Sequence, residues 1–495
     1  MIATPRQRVL TSIPYSRYKS AVRKFDRTSI LELCAQKSAE LDSNGDPASA
    51  SWPFTAWALL DIARVAVVFG KPAGPAATMD DIARLCELHF VIEDPSTCGD
   101  SAGATGALLR LMAEQFSWQT DVLSSFARTL LLFSPDAPWP DGKPARVMTE
   151  SWFEKCFGVD LETYAAAVFI AYAAASANEG RIDLGWVGRA PIKDIFSDFP
   201  VDALTSTIRN HLFSDTASVK QENREAESRA GASMLKYAFN PLINRPFISN
   251  GPSHALTPSP RAVVNKVSPN AIFYTAMKAL GDDFAADLGH VFEAYIGRQL
   301  KSLPACTIEG EVAYTVGKTR FDSIDWFMQL DDVIVFVECK AVRPTEPVRL
   351  GRPQYAEHLQ RQVGKGIEQL NRTNHDFDII TAVNKKLNSG LPRIGLVVTA
   401  EDHYGIGLPP VRASLPLAQI PTVIISAREL EQLVALTPQA LNNKLNAARM
   451  ACQSDHILEI KASLPDGGMP DNAILISAFE SFKVMRAVEA ASSPD

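Results

Sequence analysis

The sequence predicts two parts: a mainly α-helical N-terminal region over 1–240 and, after a connection at 241–275, an α/β domain with a mixed sheet over 276–440. Apolar residues recur at three- and four-residue spacing through the first half, the pattern of helices that bury one face. After 275 the rhythm changes to short apolar runs divided by turn residues. The order there, helix, three strands, helix, strand, stacks helices on a mixed sheet. A helical extension and tail follow over 441–495.

Composition narrows the class. At 495 residues the chain exceeds one hydrophobic core and calls for two or three domains. Its 46% hydrophobic and 21% charged residues are those of an ordinary globular protein. A net charge of −7 excludes a protein that coats nucleic acid by bulk charge, though a local basic groove steers independently of the total. Seven cysteines (Cys34, Cys86, Cys98, Cys156, Cys306, Cys339, Cys452) form no CxxC pair, and the eight histidines are scattered. Neither zinc nor a disulfide framework is signalled, and a reduced, cytoplasmic protein is expected. "MIATPRQRVLTSIPYSRYKS" lacks the apolar run of a signal peptide. "YAAAVFIAYAAASA" (164–177) is too short and alanine-rich to span a bilayer and reads as a buried helix. "GKPAGP" (70–75) falls short of GxxxxGK[ST], so no ATPase is expected.

In chain order, "FTAWALLDIARVAVVFG" (54–70), "TMDDIARLCELHFVI" (78–92), "SAGATGALLRLMAEQFSW" (101–118) and "DALTSTIRNHLF" (202–213) read as helices with Asp, Ser or Thr near their starts. "ASVKQENREAESR" (217–229) is polar, an exposed helix or a connection. The stretch 240–270, rich in Pro, Ser and Asn, reads as extended segments and turns. A helix over 282–303 then precedes strands near 306–316, 321–330 and 332–340. A helix (354–374), strands at 393–400 and 421–427, and a helix at 428–436 complete the domain.

The stretch "DSIDWFMQLDDVIVFVECKAVR" (322–343) places charges inside strands. "LDD" is a plausible tight turn. With Asp331 and Asp332 as its two central residues, Leu330 faces Val333 and Asp325 faces Glu338; a three-residue loop would break that register. Opposed residues share a face at about 4.5–5.5 Å between Cβ atoms, and Lys340 lies on the same face two residues on. The other face of that strand is Val333, Val335, Val337 and Cys339, so both faces read as covered. Two carboxylates so close repel unless a cation neutralises them. Mg²⁺ suits oxygen ligands and keeps waters for phosphates. The bland alternative is a structural ion pair of Lys340 with Glu338 or Asp325.

At these residues the chain resembles the PD-(D/E)xK phosphodiesterase superfamily, the restriction-endonuclease-like fold, over roughly 280–436, about a third of its length. That family has an αβββαβ core with an Asp on the second strand and ExK on the third. Asp325, Glu338 and Lys340 match, with Ile324 in place of the proline and Asp322 as the fallback acid. The resemblance implies metal coordination by Asp325, Glu338 and the main-chain carbonyl of Cys339, with Lys340 catalytic. It implies Mg²⁺, with Mn²⁺ as a substitute. A glutamate on the first core helix corresponds to Glu293, at the edge of its apolar stripe, while His290 reads as a surface or packing residue. A glutamine on the helix after ExK corresponds to Gln369, ahead of Gln362.

From 340 to 393 ten basic residues face five acidic ones, +5 within a chain of −7. Arg343, Arg349, Arg352, Arg361, Lys365 and Arg372 are the candidate phosphate contacts. The expected function is metal-dependent hydrolysis of DNA phosphodiesters, in antiviral defence or DNA processing by analogy with the superfamily. A nuclease acting on RNA and a catalytically silent binding module are the alternatives. No membrane partner is expected, and the helical region offers a surface for oligomerisation or a protein partner.

Overall fold

The computed structural model describes residues 11–43, 52–95, 101–118, 121–140, 142–304, 306–453 and 471–492. The start of the N-terminal stretch, Cys98 and the side chain of Cys452 lie outside this description. Cys34, Cys86, Cys156, Cys306 and Cys339 are free thiols.

The N-terminal part is helical. Thr55 and Thr78 cap the helices Ala56–Phe69 and Met79–Phe90 by accepting main-chain N–H groups, and Thr78 with Asp81 forms a reciprocal capping box. Asp121 caps helix α1 (Val122–Phe133) in the same way. The helix Leu161–Ala177 lies inside, with Ala165, Ala166, Ala167 and Val168 fully buried, as its composition predicts. Among the described residues no helix is long and apolar enough to cross a membrane. The polar 217–229 segment is a helix, Thr216–Ala230, that buries Val219, Asn223 and Ala226.

The stretch 240–270 contains the extended segments of its reading, but helices take up much of the rest. Strands Phe247–Ser249 and His254–Leu256 join Arg181–Asp183 and Phe213–Ser214 in a four-stranded sheet. Ser259 and Ser268 each cap a helix that opens with proline: Pro260–Val264 and α2 (Pro269–Leu280). Proline at the first helical position needs no N–H partner and has the helical φ already set, so these Ser-Pro pairs are helix starts, not breaks.

Helix α3 (Asp282–Lys301) leads to β1 (Thr307–Gly310), β2 (Ala313–Val316), β3 (Thr319–Asp322), β4 (Trp326–Gln329) and β5 (Ile334–Lys340). Helix α4 (Lys365–His375), entered through a π-helical turn at 360–364, crosses to β6 (Arg393–Thr399). Strand β7 (Thr422–Ser426) and helix α5 (Ala427–Val434) follow. The sheet runs β7-β6-β5-β4-β1. Its β1–β4 and β4–β5 pairs are antiparallel and its β5–β6 and β6–β7 pairs parallel, the mixed sheet expected.

The hairpin register is the one the sequence predicts. Trp326 faces Val337, and Gln329 faces Ile334. The Leu330 N–H donates to the Val333 carbonyl at 3.0 Å, closing a two-residue turn of Asp331 and Asp332. Two predicted strands are broken, however. The spans 306–316 and 321–330 each split, because β2 and β3 bend out of the sheet and pair only with each other. At the bend one main-chain bond remains, Ser323 N–H to the Val312 carbonyl at 3.1 Å, and side chains take the other donors: Val312 N–H donates to Ser323 Oγ at 2.9 Å and Ile324 N–H to Thr373 Oγ1 at 3.1 Å.

One face of the sheet (Val333, Val335, Val337) packs on Phe284, Leu288, Val291 and Phe292 of α3. That core runs on without interruption into Phe126, Tyr164 and Ala171 of the N-terminal part. The other face (Ile334, Phe336, Val397) packs on Val363, Ile367, Leu370 and Phe377. Burying each such side chain contributes about 1.5–3 kcal/mol, so the shared core holds the two halves together.

Arg128 on α1 crosses that core to Glu431 on α5, with Nε–Oε1 2.6 Å and Nη2–Oε2 2.5 Å. Tyr295 also donates to Glu431 Oε1, at 2.5 Å, and Asn472 Nδ2 bonds the Glu431 carbonyl at 3.1 Å. Asn472 in turn caps helix α6 (Ala473–Ser481).

Gly297 of α3 lies against Trp326, where an added Cβ would stand 2.0 Å from ring carbon Cζ2. Gly297→Ala is expected to lower stability by about 1–3 kcal/mol through overpacking. Gly289→Ala on the same helix meets nothing within 4 Å and is expected to be neutral or stabilising. Urea unfolding of the two variants side by side checks this contrast.

Candidate active site

Asp325 precedes β4, while Glu338 and Lys340 end β5, so all three meet at one end of the hairpin. Glu338 is 1% exposed. The Lys340 ammonium donates to Glu338 Oε1 at 2.6 Å and to Gln369 Oε1 of α4 at 2.6 Å. Gln369 therefore stands beside the lysine, whereas Gln362 turns to the Arg343 carbonyl at 2.5 Å.

Asp325 Oδ2 accepts the Cys339 N–H at 2.7 Å. That N–H would have served β4 had the strand continued. In an antiparallel ladder the N–H and C=O of one residue point to the same neighbour. The Cys339 carbonyl therefore also faces the Asp325 side. Glu338 Oε2 is buried and has no hydrogen-bond partner.

Burial pushes the Asp325 carboxyl up to about 6, aided by the Glu293 charge and opposed by the Cys339 N–H and Lys340. Burial, then the Asp325 charge, pushes Glu338 up to about 8, outweighing Lys340. Without a cation the folded protein thus holds protons that the unfolded chain releases. Folded values above unfolded ones make stability fall as pH rises, here from about 4.5 to about 8. Urea midpoints measured in EDTA across that window are expected to fall for the wild type and to flatten in Glu338→Gln.

Glu293 on α3 lies next to this pair, its charge raising Asp325. Its carboxylate is 3.5 Å from the Lys143 ammonium. Lys143 arrives from far upstream because Asp287, fully buried on α3, accepts the N–H groups of Arg146, Val147 and Met148 at 2.9, 2.8 and 2.9 Å. Glu311, in the bend between β1 and β2, completes the acidic group. Partial burial and the charges of Asp322, Asp325 and Glu293 raise it, and Lys143 opposes them. The sequence reading includes neither Lys143 nor Glu311. Position beside the bend could have suggested Glu311, but nothing local marks Lys143. His290 packs on the Trp139 ring, the packing role expected.

The candidate phosphate contacts divide. Arg343 is 6% exposed, with its guanidinium 3.8 Å from the centre of the Phe273 ring, so it is a core cation and not a surface contact. Arg352 is spent on Glu346 at 2.7 Å and the Ala230 carbonyl at 3.2 Å, tying the sheet domain to the N-terminal part. Arg349, Arg361, Lys365 and Arg372 are exposed.

Among the described residues no group of three or more His, Cys, Asp and Glu side chains is placed to hold a metal. The donor set expected from the resemblance is smaller, two carboxylates and a carbonyl. The orphaned, buried Glu338 Oε2 beside Asp325 fits a cation there. Comparison with protein-family models, with curated proteins and with solved structures matched nothing.

Proposed function

We propose that the chain is a Mg²⁺-dependent nuclease that hydrolyses phosphodiester bonds in DNA. The observation that carries this reading is Glu338: a buried carboxylate with one oxygen on Lys340, the other without a partner, and a second carboxylate beside it. A hydrophobic core has no use for such a group, because a buried carboxyl oxygen without a hydrogen-bond partner costs about 1–3 kcal/mol. The element order α3, β1, β4, β5, α4, β6 supports the restriction-endonuclease-like reading, with β2 and β3 as an added ribbon.

Asp325, Glu338 and the Cys339 carbonyl would hold the ion. When bound, it supplies Lewis-acid polarisation of the phosphodiester and a more acidic water. Lys340, fixed between Glu338 and Gln369, is placed to stabilise negative charge developing on the phosphate oxygens. Gln369 acts through the lysine as a positioning residue. Glu293 holds Lys143 at the margin of the site.

Incubation of the full chain with supercoiled DNA, single-stranded DNA and RNA, in Mg²⁺, Mn²⁺ or EDTA, tests the reading. DNA cleavage in either metal and none in EDTA is the expected result. Cleavage of RNA alone would shift the substrate. Absence of both cleavage and divalent-metal binding would sink the nuclease in favour of a binding module.

A further inference from the structure

The ribbon β2–β3 belongs to no larger sheet. Thr315 faces Arg320 and Val316 faces Thr319, and Gly317 (φ +62°) with Lys318 forms the turn. Every residue from Thr315 to Arg320 is exposed, and the ribbon carries Lys318 and Arg320 with no acid between residues 313 and 321.

Its base is fastened. The Tyr314 hydroxyl donates to Asp376 at 2.8 Å, and the Tyr314 ring stacks on Phe321. Arg372 of α4 lies over Phe321 and donates to the Asp322 carbonyl at 3.3 Å. A rigid base with a free basic tip is the form of a docking element. Three residues after β3 ends, the chain reaches Asp325.

Helix α4 extends the same charge. Lys365, Gln369 and Arg372, at i, i+4 and i+7, fall within about 60° of one another around the helix. The glutamine that holds Lys340 is therefore flanked by two exposed cations. Lys318 and Arg320 on the ribbon, and Lys365 and Arg372 on the helix that carries Gln369, are four exposed cations in a chain that is acidic overall. Alternation along β3 turns Arg320 to the face opposite Phe321 and Arg372.

The shape selects the partner. A two-stranded ribbon fits the B-DNA major groove, about 12 Å wide. The A-form major groove of duplex RNA is too deep and narrow to admit it. We infer that the β2–β3 ribbon enters the major groove of duplex DNA and, with Lys365 and Arg372 on the flanking phosphates, sets one strand over Glu338 and Lys340. The cut in this arrangement rests on the nuclease reading; the docking does not.

The test uses the full chain, fluorescent duplex DNA and duplex RNA of one sequence, and anisotropy in EDTA over a range of salt. Lys318→Ala/Arg320→Ala is compared with wild type and with Arg224→Ala/Arg229→Ala, an exposed pair on the 216–230 helix. Wild type is expected to prefer duplex DNA. The ribbon variant is expected to bind DNA roughly tenfold or more weakly, with the slope of log affinity against log salt reduced by about 1.8, 0.9 for each lost phosphate contact. The control pair should match wild type, and superimposable melting curves establish that all variants are folded.

Unchanged affinity and slope in the ribbon variant would overturn the proposal, as would equal binding of duplex RNA or no binding of duplex DNA by wild type. Supercoiled-DNA cleavage in Mg²⁺, run beside it, separates the two readings. Ribbon-dependent binding without cleavage sinks the nuclease and leaves the docking. Cleavage with ribbon-independent binding does the reverse.

Discussion

Glu338→Gln is expected to reduce Mg²⁺-dependent DNA cleavage by about 10²–10³-fold or more while leaving the fold intact. The amide keeps the shape and can still accept from Lys340, but it removes one of the two negative oxygen donors. In the absence of metal the change is neutral or stabilising, because a buried carboxyl disfavoured by burial and by Asp325 disappears. Mg²⁺ is expected to raise the melting temperature of wild type by mass action on the folded state and not that of the variant. Lys340→Ala provides the contrast. It should abolish cleavage equally but lower stability by about 1–3 kcal/mol, since it leaves Glu338 without its hydrogen-bond partner. A Glu338→Gln protein that cuts DNA at the wild-type rate would remove this site from the chemistry.

Arg128→Ala is expected to produce the largest loss of stability, about 3–5 kcal/mol. Glu431 is fully enclosed, and the substitution leaves its charge with only the Tyr295 hydroxyl and no cation. The pair itself contributes less than that figure, because both charges gave up water to meet. Arg128→Met combined with Glu431→Leu is therefore expected to recover most of the loss. Urea unfolding of the two single variants and the double variant measures this. The pair bridges helices from opposite halves of the chain, so Arg128→Ala should shift one unfolding transition that both halves share. A second transition in the variant, with the α3 to α5 region left unaffected, would contradict the continuous core.

Part of the site was legible because it depends on short-range pattern. Two apolar runs around Leu330-Asp331-Asp332 set the hairpin register, and the register carries Asp325, Glu338 and Lys340 to one end. Gln369 was expected only from the resemblance, which implies a glutamine on the helix after ExK. The failures have a different origin. Arg343 reads in sequence like any other arginine, and only tertiary packing places it over Phe273. Lys143 reaches Glu293 because Asp287 binds three main-chain N–H groups, and main-chain donors leave no mark in a sequence. The two broken strands keep a strand's apolar pattern, and what ends them is a serine and a threonine taking over ladder positions from neighbouring segments.

The Arg128–Glu431 contact spans 303 residues, which sets an order of events during synthesis. The ribosome releases Asp325, Glu338, Lys340 and Gln369 while Glu431 is still unmade, so a nascent chain carries every proposed catalytic side chain before the core that aligns them can close.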